Sequence, residues 1–159
     1  MKSLMSHAFM AATFAASAVW AAGGGGPDTR QSEPADPVIE QTQAAVARKD
    51  WQQAQELVRA ALVKNPANAD YHNLYAYAIR MGANPAMDLV FKHYNEALRL
   101  DPKHRRAHEY LGEAYLMVGN LDKAREHLKQ LDQLCLFPCE EYSMLKKAVA
   151  DYEAKAPKK

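Results

Sequence analysis

The segment Arg105–Leu134, RRAHEYLGEAYLMVGNLDKAREHLKQLDQL, restricts the possible folds of this chain more than any other. His108, Leu111, Gly112 and Tyr115 recur at i, i+3, i+4 and i+7, so they share one helix face. Gly119-Asn120 interrupts that pattern, and Leu121, Ala124, Leu128 and Leu131 begin a second apolar stripe at helical spacing. Gly112 in a helix interior costs about 1 kcal/mol against alanine. Its presence is explained if another helix backbone comes very close, with the small Ala124 supplying the matching gap. Two amphipathic helices, a tight turn and small residues at their crossing predict a helical hairpin.

Two earlier segments read the same way. Asp36 is placed to cap a helix and Pro37 suits its first position, so a helix is expected to about Arg48. Lys49-Asp50-Trp51 makes a turn. Trp51–Lys64 then carries Ala54, Leu57, Val58, Ala61 and Leu62 on one face, and Asn65-Pro66 stops it. A second pair follows from near Ala69. Its first helix offers His72, Tyr75, Ala76 and Ile79, with Gly82 as its stop. Its second helix, Met87 to Leu100, offers Val90, Tyr94 and Ala97 before Asp101-Pro102. After Leu134, Pro138 starts a last segment with Glu140 and Glu141 in its first turn, where the helix dipole favours anions. Tyr142, Leu145, Val149 and Tyr152 share its face. Strand-like alternation is absent from the sequence, and the reading is all-α.

These hairpins resemble the tetratricopeptide repeat, a helix–turn–helix unit of ~34 residues. Its pattern W-x2-L-G-x2-Y…A-x3-F…P is met in the third unit by His108, Leu111, Gly112, Tyr115, Ala124 and Leu128. His108 replaces the tryptophan, Leu128 the phenylalanine and Leu136 the proline. In the first unit Ala54, Val58 and Pro66 take the family positions, while Val38, Gln41, Thr42 and Ala45 match poorly, as a terminal repeat with one solvent-facing side would. Pro66 and Pro102 are 36 residues apart, so Ala83–Ala86 is expected to hold an insertion between the helices of the second unit.

The resemblance implies a right-handed α-solenoid of about three hairpins, near residues 37–66, 69–102 and 105–134, with a capping helix at 139–153 closing a domain that spans 37–153. It also implies a concave wall built by the first helix of each pair, suited to an extended peptide or a helix of a partner protein. The residues it points to are Ile39, Gln43 and Val46 in the first unit. Asn73, Tyr77 and Arg80 follow in the second, and Arg106, Glu109, Glu113, Leu116 and Met117 in the third. Exposed Tyr77, Leu116 and Met117 beside Arg80 and Arg106 would make an anchor pocket, since aromatic and arginine side chains often dominate binding. Leu116 and Met117 could equally be covered by neighbouring helices. Chaperone-type members grip a carboxylate with a lysine–asparagine–arginine set; Ile39 and Gln43 stand in that region here, so that activity is not carried over.

The ends read differently. Residues 1–21 look like a cleaved export signal, with Lys2 the only charge before Asp28, an apolar run from Leu4 to Val19, and small residues at Ala21 and Ala22. The run falls short of the ~20 apolar residues a membrane span needs, so no membrane insertion is expected after cleavage. Residues 22–36, with Gly23–Gly26 and Pro27, read as a linker, and 154–159 as a disordered tail. A periplasmic location is the expectation. The net charge of +1 gives no case for nucleic-acid binding.

Cys135 and Cys139 have two readings. In an exported chain a close pair usually forms a disulfide, here a staple setting the angle of the last helix. The alternative is a thiol-redox or metal-handling pair, although redox and haem motifs need other spacings and zinc needs more ligands. His72 and His108 occupy one site in successive repeats, which favours packing roles, and His127 is expected to face solvent. Glu109 and Glu113 read as a charged, exposed helix face. No catalytic constellation and no metal or cofactor site is found. The sequence therefore predicts a non-enzymatic adaptor binding another protein, monomeric or weakly self-associating.

Overall fold

The computed structural model describes residues 36–137 and 139–155. The expected export segment, the glycine linker, Pro138 and the end of the tail from Ala156 lie outside them. The described residues form seven α-helices and no strand: α1 Pro37–Ala47, α2 Trp51–Lys64, α3 Ala69–Arg80, α4 Met87–Leu100, α5 Arg105–Met117, α6 Leu121–Leu134 and α7 Glu140–Lys155. Ala154 and Lys155, expected in the tail, are thus helical.

Local chemistry sets most of these ends. Asp36 Oδ1 accepts from the Val38 and Ile39 amides at 2.8 and 3.3 Å. Asp50, Asn68 and Asn120 cap α2, α3 and α6 in the same way. His104 caps α5, its Nδ1 accepting from the Ala107 amide at 3.2 Å. The first and third hairpins turn through a left-handed residue, Lys49 at φ 59° and Gly119 at φ 77°. Three residues, 48–50 and 118–120, make those turns, whereas α3 and α4 are joined by residues 81–86.

Helices pack in sequence, each against the next as far as α6, and α3 also touches both α1 and α5. First helices therefore stand side by side, with α2, α4 and α6 behind them. The central core holds Ala76, Ile79, Val90, Tyr94, Leu111 and Ala114, where the second and third hairpins meet. Alanines Ala45, Ala54 and Ala78 let α1, α2 and α3 approach closely.

The last helix does more than cover an end. It packs on α6 and more extensively on α5, and Leu145 and Val149 join Ala124 and Leu131 in one cluster. This corrects the reading of Gly112. Its missing side chain makes room for Leu145 of α7, not for the backbone of α6: a Cβ there would meet Leu145 Cδ2 at 2.6 Å and Cδ1 at 2.8 Å.

Four histidines form two pairs, each between the two helices of one hairpin. His72 and His93 bring their Nδ1 atoms to 2.8 Å, and His108 and His127 to 3.0 Å. In both pairs the inner ring also meets a proline carbonyl, Pro66 at 3.0 Å and Pro102 at 3.1 Å. A carbonyl only accepts, so Nε2 of His72 and His108 carries the proton. Their Nδ1 atoms then accept from His93 and His127. Packing roles for His72 and His108 follow directly. The expectation for His127 was wrong: it is half-buried, its ring stacks on Tyr115 with centroids 5.7 Å apart, and burial pushes it down to about 4. Its distance from the apolar stripe of α6 concealed a partner on α5.

Candidate binding groove

The wall formed by α1, α3 and α5 carries two adjoining clefts. The first, about 200 Å³, is lined by Ile39, Gln43 and Val46 of α1, Asn73 and Tyr77 of α3, and Arg106 and Tyr110 of α5. The second, about 350 Å³, lies towards α7. Glu109 and Glu113 of α5, Arg80 and Met81 at the end of α3, and Glu140, Glu141 and Met144 of α7 line it. Tyr77, Tyr110 and Arg106 belong to both.

Aromatic stacking fixes the divide. Tyr77 and Tyr110 have ring centroids 4.6 Å apart, and Trp51 meets Tyr77 edge-on at 6.2 Å. Arg80 lies against this pair, its guanidinium carbon 5.4 Å from the Tyr77 centroid and 5.5 Å from that of Tyr110. Its Nε donates to Tyr94 Oη at 3.3 Å and its Nη2 to Glu113 at 2.8 Å. Burial opposes the Arg80 charge, but Tyr94 and Glu113 more than offset it and the guanidinium is held more firmly protonated than usual. Burial pushes the Tyr110 hydroxyl up to about 12. Arg80 is only 7% exposed, so it braces the wall from behind.

The named residues separate accordingly. Asn73, Tyr77, Arg106 and Glu109 line the clefts. Arg80 and Glu113 also border the second, but they are bound to each other. Leu116 does not reach either cleft: it packs against the cluster under α7 with Leu145 and Val149. Met117 is exposed at the end of α5 but borders neither cleft. The anchor pocket expected from Tyr77, Leu116 and Met117 does not form: Leu116 packs into the cluster with α7, and Met117, though exposed, lies away from both clefts. Glu109 is also not the solvated residue expected, being 6% exposed. Burial, followed by the charges of Glu113 and Glu141, pushes its carboxyl up to about 7.

Sequence reasoning missed Tyr110 and the α7 contribution. Tyr110 lies four residues after Arg106 and three before Glu113, so helical spacing places it on the same wall. Nothing in the periodicity of α7 reveals that its first turn reaches across to α5.

At the edge of the fold the Cys135 and Cys139 sulfurs lie at bonding distance with Cα atoms 5.8 Å apart, a geometry compatible with a disulfide. The intervening Leu136 and Phe137 are exposed. Among the described residues no group of three or more His, Cys, Asp or Glu side chains could hold a metal ion, and no helix is long and apolar enough to cross a membrane.

Family models described as tetratricopeptide repeat match residues 40–85 and 89–151. The chain belongs to the tetratricopeptide repeat family. It is 33% identical over 81 residues to the inactive TPR repeat-containing thioredoxin TTL3 of Arabidopsis thaliana, a match covering 51% of this chain and 11% of that protein. The chain therefore spans about a tenth of the length of this relative. Among solved tetratricopeptide structures it is similar to the TPR2B domain of yeast Sti1 in its complex with pHsp70. There the TM-score is 0.65 and the identity 15%, covering 76% of this chain and all of that one. It is also similar to the type III secretion chaperone SycD of Yersinia enterocolitica in complex with a peptide of the translocator YopD. That match has a TM-score of 0.61 and 18% identity over 74% of this chain and 88% of that one. At such identities these matches establish the fold of stacked helical hairpins.

Proposed function

We propose that this chain is a non-enzymatic adaptor that holds an extended peptide segment of another protein along the wall of α1, α3 and α5. One observation carries the reading. Asn73 is 3% exposed and lines the first cleft, yet its Oδ1 has no hydrogen-bond partner among the described residues. A buried carbonyl left unpaired costs about 1–3 kcal/mol, and rotation of the Asn73 side chain towards the cleft would let the backbone N–H of a bound peptide satisfy it. The apolar side chains of Ile39 and Val46 and the rings of Tyr77 and Tyr110 supply the surface around it. Two solved relatives of the same fold were determined with bound partners, a YopD peptide for SycD and pHsp70 for Sti1, which supports the reading by analogy.

We place the adaptor in the periplasm, as a monomer or weak self-associate. The apolar run before Ala21 and a cysteine pair compatible with a disulfide support an exported, oxidising setting. A pull-down from periplasmic extract with wild type, Asn73→Ala and Tyr77→Ala tests the groove. The expected result is a partner retained by wild type and lost, or reduced about tenfold, with both variants. Equal retention by all three would contradict it.

A further inference from the structure

Glu109 is an unusual residue for a helical wall. It is 94% hidden, within the wall of the second cleft, and carries no hydrogen bond or ion pair among the described residues. No Lys, Arg or His nitrogen of those residues comes within 4.0 Å of it. The other carboxylates of the cleft are differently placed. Glu113 is taken by Arg80 at 2.8 Å, Glu141 has Arg105 at 3.9 Å, and Glu140 is exposed at the start of α7. Tyr77 and Tyr110 close one side, and Arg106, shared with the first cleft, is the cation that acts on Glu109 from farther away.

We propose that the second cleft receives a lysine or arginine side chain of the bound partner segment, with Glu109 as the counter-ion at its floor. The proposal rests on the groove reading above and names the chemistry of what enters it. Charge favours a cation over an anion, because four carboxylates and two guanidiniums line the cleft and one guanidinium is already paired within it. Shape agrees with charge. Met81 and Met144 are 41% and 50% exposed on the same cleft, and flexible thioether side chains suit the aliphatic stem of a long basic residue. A buried, unpaired carboxylate is unfavourable in the empty protein, as its rise to about 7 shows, and an arriving cation removes that cost. The tyrosine faces, already in contact with Arg80, add aromatic surface beside the charge.

Selection of a random twelve-residue peptide library on the full chain tests both layers separately. Recovery of peptides enriched in lysine or arginine at one position is expected. A selected peptide is then compared with its version carrying neutral citrulline or norleucine there, on wild type and on Glu109→Gln. The neutral replacement should weaken binding at least tenfold on wild type and less than twofold on Glu109→Gln. Peptides recovered without basic enrichment, or an equal loss on both proteins, would overturn the role of Glu109 while leaving the groove standing. Recovery of no peptide would remove both. Because the citrulline comparison uses wild-type protein, the requirement for a cation in the cleft is tested even if the variant folds poorly, and its absence there overturns the proposal.

Discussion

The two halves of the concave wall solve different problems. The half near α1 is mostly apolar, with one carboxylate, Asp70, and one guanidinium, Arg106, on its lining, and its one tension is the unpaired Asn73 carbonyl. The half near α7 is crowded with charge: Arg80 between two tyrosines and Glu113, and Glu109 buried without a counter-ion. Both halves share Tyr77, Tyr110 and Arg106, so the contrast comes from what stands opposite α3 and α5. On one side it is α1, whose exposed face is open. On the other it is α7, whose first turn adds Glu140 and Glu141 and whose Leu145 covers Gly112. A terminal helix has thereby become part of the surface, and it determines the chemistry at that end.

The sharpest way to break the contrast is to loosen α7. Leu145 is fully buried among Ala124, Leu131 and Val149. Leu145→Ala should lower unfolding free energy by about 2–4 kcal/mol in urea titration. Amides of α5 and α7 should exchange faster while those of α1 and α2 change little. Arg80→Met should cost nearly as much, about 2–3 kcal/mol, because it leaves the Glu113 carboxylate and the Tyr94 hydroxyl without their donor. Its methionine stem keeps most of the contact with Tyr77 and Tyr110, so the loss reads the charge rather than the packing.

Glu109 and the histidines give opposite pH dependences. The folded-state pKa of Glu109 is raised to about 7, so the unfolded chain holds fewer protons and stability falls as pH rises from about 4.5 to 7. Glu109→Gln should therefore stabilise the protein at pH 8 by about 1–2 kcal/mol, allowing for solvent screening, and leave it nearly unchanged at pH 4.5. His93 and His127 are pushed down to about 4 by burial and by their histidine neighbours. Their contribution is complete above the unfolded value near 6.5 and is lost as pH falls towards 4. The loss should be about 1–2 kcal/mol for each, after the same allowance, measured as a falling Tm between those pH values. Replacing His93 and His127 with glutamine should remove that loss and leave the opposite slope of Glu109, stability falling from about pH 4.5 to 7, as the dominant one.

Gly112→Ala should have the smallest effect. Alanine favours the helix by about 1 kcal/mol, but its Cβ would press on a fully buried Leu145, and overpacking of this kind costs about 1–3 kcal/mol. The net expectation is a loss of about 1 kcal/mol that disappears in the Leu145→Ala background, measured as a double-mutant cycle.

What was legible in the sequence follows from what local patterns encode. Asp36-Pro37, Asn65-Pro66, Gly119-Asn120 and Asp101-Pro102 are signals the backbone obeys wherever it lies, so helix ends and hairpins could be read directly. Gly112 was legible as a point of close approach, but not as a seat for Leu145, because a glycine reports contact without naming the neighbour. Helical spacing placed Glu109, Leu116 and His127 on faces. It could not tell that Glu109 would be buried, that α7 would pack on Leu116, or that His108 would meet His127. Those outcomes depend on how a later segment folds back across an earlier one.

The most direct measurement is an amide-resonance map of the labelled full chain titrated with a peptide selected for binding. The account predicts shifts centred on Asn73, Tyr77, Glu109 and Tyr110 and extending into the first turn of α7, with α2, α4 and α6 unmoved on their outer faces. Shifts concentrated on those outer faces, or on the exposed Leu136-Phe137 loop, with the wall undisturbed, would contradict it.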